Sequence, residues 1–170
     1  METWNILHSQ SAADLNVLTN LYDGLVEADE YGKVVPAIAE SWETEDNGIT
    51  WTFHLREGVK WVDQNGNEKG EVTAQDFLTG LEWILNFHKN DAANTSMPME
   101  MIVGAEDYYN MTSELDADAG FALTAESPEF ADTVGIKAID DYTLQYTCVS
   151  EKPYFDTLGC LLSTSPSPRD

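Results

Sequence analysis

The chain is expected to be an α+β unit, a largely antiparallel sheet with covering helices, and three observations predict it. Ile49 to Leu55 alternates strictly: Ile49, Trp51, Phe53 and Leu55 fall on one side, and Thr50, Thr52 and His54 on the other, the pattern of a half-buried strand. Val134 to Ala138 and Thr143 to Val149 alternate around Asp140-Asp141 and predict a second hairpin. Between them, Thr73 with Asp76 three residues on opens a helix in the manner of a capping box, and Phe77, Leu81, Ile84, Leu85 and His88 share one of its faces.

Taken in order, Thr3 to Leu7 is expected to be a first strand. His8 to Ala13 then forms a polar loop into a helix with Leu15, Leu18, Leu21 and Tyr22 at helical spacing. Gly24 is placed as its C-cap. Leu25 to Ala28 reads as a strand and Asp29 to Lys33 as a turn carrying Gly32, while Pro36 is expected to open a short helical turn over Ala37 to Glu40, since a missing N–H costs nothing at the first helical position. Asp46-Asn47-Gly48 is a tight-turn signal that pairs Ser41 to Thr44 with the alternating strand. Arg56-Glu57-Gly58 turns the chain before Lys60-Trp61, and Asp63 to Gly70 reads as a hydrophilic loop with no apolar anchor. From Asn90 to Phe130 only short helical pieces are expected, around Met99 to Val103 and Ala105 to Asn110; Tyr154 to Leu158 begins another after Pro153.

At 170 residues, 42% apolar and 11% aromatic, the chain can bury a real core as one unit. Its 31 acidic against 8 basic residues give a net charge of −23. Such a surface repels phosphate backbones and anionic lipid, which argues against nucleic-acid binding; its ordinary role is to keep a protein soluble. No apolar run approaches the roughly 20 residues needed to span a bilayer, and the first residues carry no basic and apolar leader pattern. Cys148 and Cys160 are too few for a disulfide framework, and Cys148, alternating with Leu144 and Tyr146, reads as a small buried hydrophobe.

The chain carries no Gly-rich phosphate loop, HExxH, GxSxG or Cys-x-x-Cys, so no catalytic residue, metal ligand or cofactor is assigned and the chain is read as a non-enzyme. Asp116-x-Asp118-x-Gly120 hints at a calcium loop but lacks the third oxygen ligand and the closing glutamate. His54 sits on the polar face of its strand and His88 ends its helix. Trp42, Trp51 and Trp61, with Tyr22, are read as core rather than as ligand-stacking rings, because large aromatics dominate core burial.

Five stretches in order then carry a resemblance. Leu21-Tyr22-Asp23-Gly24-Leu25-Val26 comes first, followed by Thr50-Trp51-Thr52-Phe53-His54-Leu55-Arg56-Glu57-Gly58-Val59-Lys60-Trp61 with Val72-Thr73-Ala74-Gln75-Asp76-Phe77. Val134 to Leu144 and Lys152-Pro153-Tyr154-Phe155 complete the set. Together they resemble the extracytoplasmic solute-binding proteins, family 5, the oligopeptide- and dipeptide-binding receptors of ABC importers.

The resemblance implies that residues 1–159 are the N-terminal part of lobe I of a two-lobe, periplasmic-binding-protein-like receptor. It also implies a fragment whose export signal and lipidated cysteine would precede it, extracytoplasmic and lipid-anchored when whole. A peptide ligand and a membrane ABC permease are the implied partners, with the receptor acting as a monomer. Ligand contacts carried over by position fall at Gln10, Ser11 and Ala12 and at Met97 through Met99. Met97 and Met99 would suit adaptable apolar pockets, a core role being the alternative. The resemblance leaves peptides, nickel complexes, sugars and other solutes open as ligands. Residues 160–170, CLLSTSPSPRD, match the translation of a common transposase sequencing adapter except for Ser163 in place of Tyr, and are expected to be non-native. A free-standing secreted or surface protein-interaction domain is the alternative to the transport reading.

Overall fold

The computed structural model describes residues 22–89 and 95–157. The expected first strand, the polar loop and the first helix up to Leu21 therefore lie outside the described residues, as does the tail from 158 on.

The core is a four-stranded antiparallel sheet in the order β3-β4-β8-β7, made of β3 (Ala39–Glu45), β4 (Thr50–Leu55), β7 (Ile136–Asp140) and β8 (Thr143–Thr147). The alternating run lies on a central strand: Trp51 faces Thr44 on β3 and Tyr146 on β8, and Phe53 faces Trp42 and Leu144. Trp51, Phe53, Leu55, Leu144, Tyr146 and Ile136 are all buried, whereas Thr50, Thr52 and His54 are only partly so. The turn into β4 takes the chemistry its residues offer, with positive φ at Asp46, Asn47 and Gly48.

Two small hairpins flank the sheet, β1 (Val26–Ala28) with β2 (Val34–Pro36), and β5 (Lys60–Val62) with β6 (Glu68–Glu71). The expected strand at Leu25 to Ala28 and the turn carrying Gly32 are present, as β1 and its connection to β2, but the second strand of each hairpin corrects the sequence reading. Pro36 closes β2 instead of opening a helical turn, and β3 begins at Ala39. The physical reason is tertiary: the Ile38 and Ala39 N–H groups donate to Gly24 O and Leu25 O, and Arg56 donates from Nε to Ala37 O at 2.7 Å. Those partners replace the bonds a helical turn would make. Likewise Glu68 to Gly70 is not loop but strand; β6 is polar throughout, so no apolar alternation announced it. Only the loop tip is irregular, where Asp63 Oδ1 accepts from the Asn65 and Asn67 N–H groups at 2.8 and 2.9 Å.

The capping-box helix is present as α1 (Ala74–Leu85). The Asp76 carboxylate accepts from the Thr73 N–H at 2.8 Å and from Trp61 Nε1 at 3.2 Å, which ties the helix start to β5. Phe77, Leu81, Ile84 and Leu85 are buried as the spacing requires. Beyond it lie α2 (Ser96–Met101) and α3 (Ala105–Glu114), close to the expected short pieces. Two more were not anticipated: α4 (Ala117–Ala122) and α5 (Pro128–Ala131). Asp116, half of the calcium-like motif, is the N-cap of α4 and accepts from the Ala119 N–H at 3.0 Å. The reading of the aromatic residues as core holds for Trp51, while Trp42 and Trp61 are partly buried at its margin.

Candidate functional site

Of the expected contact residues, Gln10, Ser11 and Ala12 lie outside the described residues. Met97 and Met99 sit on α2, whose first turn tolerates the buried Pro98 because early helical N–H groups have no intrahelical partner. Both methionines are partly buried and pack against the core, as do Met101 and Met111. They therefore combine a core contact with an accessible part. The C-terminal end of α2 is fixed on the sheet: Ile102 bridges Cys148, Val149 N–H donates to Met101 O at 2.9 Å, and Val103 N–H donates to Thr147 O at 3.0 Å.

Between α1 and α3 lies a buried polar hub that sequence reasoning missed. Glu82 is 2% exposed; its Oε1 accepts from Asn86 Nδ2 at 2.8 Å and from the Tyr108 hydroxyl at 2.9 Å. Its Oε2 accepts from Lys89 Nζ at 2.8 Å, and Lys89 also donates to Leu123 O. Asn86 reaches Gly120 O at 2.9 Å, and Thr112 Oγ1 accepts from the Phe87 N–H at 3.1 Å. Burial, together with the neighbouring Glu82 carboxylate, pushes the Tyr108 phenol above its ordinary range. The signal was present in the sequence: Glu82 and Asn86 stand four apart, in phase with buried Leu78 and Leu85. His88 ends this region with its ring 3.0 Å from Leu115 O.

A second polar cluster joins the β5–β6 hairpin to the β7–β8 turn. Glu71 Oε1 accepts from the Gly58 N–H at 2.8 Å and from the Tyr142 hydroxyl at 2.6 Å, and Oε2 pairs with Lys60 Nζ at 2.7 Å. Lys60, then Tyr142 and Gly58, hold the Glu71 carboxyl at about 2 against an ordinary 4.5, and the same bond raises the Tyr142 phenol to about 12. A depressed folded-state value means stability that is complete above about 4.5 and lost as pH falls through about 2. Glu71→Gln is accordingly expected to melt lower than the parent chain near neutral pH, with the gap closing across that acid window. A gap independent of pH in parallel thermal melts would contradict the assignment.

Cys148, among the described residues, is inert in character. Burial pushes the Cys148 thiol up to about 11, so it stays protonated. Among the described residues no group of three or more His, Cys, Asp or Glu is placed to hold a metal ion, and no helix is long and apolar enough to cross a membrane.

The antiparallel sheet, with its short helices and the partly buried methionines packed against the core, shares its fold with a segment of periplasmic binding proteins. It superposes on the periplasmic oligopeptide-binding protein OppAIV of Borrelia burgdorferi with a TM-score of 0.75 at 25% identity, covering 96% of this chain and 29% of that one. Against Haemophilus influenzae OppA in complex with the peptide RPPGFSPFR, the TM-score is 0.73 at 28% identity, over 98% of this chain and 28% of that one. In sequence the chain is 36% identical over 160 residues to the oligopeptide-binding protein AliB of Streptococcus pneumoniae, covering 93% of this chain but 22% of AliB. The pattern of the bacterial extracellular solute-binding proteins, family 5, matches residues 33–169. The chain belongs to that family. It spans between about a fifth and three tenths of the length of these relatives.

Proposed function

We propose that the chain is part of the substrate-binding component of an ABC importer, which captures oligopeptides or dipeptides outside the membrane and delivers them to a permease. The observation that carries this is the family match over 33–169, joined to a fold shared along 98% of the chain with a receptor holding a peptide. Residues 1–159 are then the N-terminal part of lobe I of a longer, lipid-anchored, monomeric receptor without enzymatic activity; the adapter reading of residues 160–170 stands against a family match that extends to residue 169. An extended peptide offers main-chain donors and acceptors whatever its sequence, so a receptor can pair with the backbone and leave side chains to roomy pockets. Met97 and Met99, unbranched and polarisable, suit such a pocket, with Gln10, Ser11 and Ala12 supplying contacts from the other stretch. Closure of a second lobe over the peptide presents the loaded receptor to its permease.

The test is calorimetric titration of the full reading frame, recovered from its genomic locus, with pools of synthetic di- and oligopeptides. Saturable binding, weakened for apolar peptides by Met97→Asn or Met99→Asn, is expected. No binding by any pool, or a frame that stops at Asp170, overturns the reading.

A further inference from the structure

We propose that the buried hub of Glu82, Lys89 and Tyr108 is the positioning element for α2, the helix that carries Met97 and Met99. The proposal rests on the reading of those methionines as ligand contacts. Among the described residues Glu82 is the sole buried carboxylate, and the Lys89 side chain is 8% exposed. A buried ion pair is weak as a source of net stability, because desolvation offsets most of its attraction; apolar residues of similar volume often do as well. What such a pair supplies is direction. Here the bonds run from α1 to three places: to α3 through the Tyr108 hydroxyl, to Leu123 O through Lys89, and to Gly120 O on α4 through Asn86.

The helix at stake cannot hold itself. α2 has six residues, well below the length at which an isolated helix persists in water, so its conformation depends on what anchors its ends. One anchor is the bridge from Ile102 to Cys148 on the sheet. The other is α3, which packs on α2 and is itself tied to the hub by the Tyr108 hydroxyl, seven residues beyond Met101. Gly104 joins the two helices, its φ of +71° starting α3 two residues after Ile102 closes α2. With the hub released, the sheet still holds Ile102, but the methionine-bearing turns lose their second support.

The experiment compares the full-length receptor with two variants, Tyr108→Phe and the pair Glu82→Gln with Lys89→Met, each of which keeps side-chain volume. Hydrogen exchange by mass spectrometry reads the amides of 95–101, and titration with RPPGFSPFR and with the tightest peptide from the pools reads affinity. Exchange in 95–101 is expected to rise relative to that of β4 and β8, with affinity weakened by about tenfold, one decade in dissociation constant, even where the melting temperature is retained. Unchanged relative exchange and affinity, with only a lower melting temperature, would make the hub a plain packing feature and overturn the proposal. If the parent receptor binds no peptide, the transport reading fails on its own, while the exchange measurement still decides whether the hub positions α2.

Discussion

Replacing Trp51 by alanine is expected to lower stability by about 3–5 kcal/mol, the cost of emptying a large aromatic site in a packed core. Trp51 is 4% exposed and is the second residue of β4, one of the two inner strands. Its ring stacks on Phe53 at 6.3 Å and lies 6.1 Å from Phe155, so truncation removes contacts on both sides. Its indole N–H donates to Gly48 O at 3.1 Å, which ties the strand to its own tight turn. Alanine keeps none of these. In a chain of this size the loss corresponds to a drop of roughly 6–20 °C in melting temperature. Calorimetric melts of the two proteins decide it, and an unchanged transition would remove Trp51 from the core.

The second large effect is expected at Gly104→Ala. A φ of +71° costs a residue with a Cβ about 1–2 kcal/mol, and here the added atom would also sit 1.9 Å from Thr133 O and 2.7 Å from Thr133 C. Both are backbone atoms, so no side-chain rotation relieves the clash. Relief by backbone movement adds about 1–3 kcal/mol, for a total of about 2–5 kcal/mol. Gly32 is the internal control: its φ is +77°, yet nothing lies within 4 Å of the added Cβ, so Gly32→Ala should show the conformational part alone. Denaturant unfolding of both variants separates the two contributions. Equal losses would mean that the chain at Thr133 yields freely and that the α2–α3 junction is not tightly held.

The positions that were legible in the sequence share one property, which is that their conformation is decided within a few residues. The alternation of Ile49 to Leu55 is a strand, Asp46-Asn47-Gly48 is a turn with three positive φ values, and Thr73 with Asp76 opens a helix. In each, a period of two or 3.6 or a turn residue specifies the backbone locally. The features that escaped depend on partners distant in the chain. Pro36 ends a strand because Gly24 and Leu25 take the N–H groups that follow it, and the polar β6 exists because β5 pairs with it. The order β3-β4-β8-β7 brings Trp51 against Tyr146, a pairing for which no local pattern codes.

The same division runs through the candidate site. Resemblance placed Met97 and Met99 in the chain, but their half-buried position between core and surface comes from the bridge of Ile102 to Cys148 and from packing on the core. Glu82 was in phase with the apolar stripe of α1, yet its role emerges only where Tyr108, Lys89 and Asn86 converge on it. By itself, then, the sequence determined the principal strands, the capped helix, the tight turn and the family. Tertiary structure alone decided the strand order, the second strand of each small hairpin, the buried hub and the exposure of the methionines. Hydrogen-bond periodicity and turn geometry act over one or two turns of chain, whereas burial depends on which distant surfaces meet.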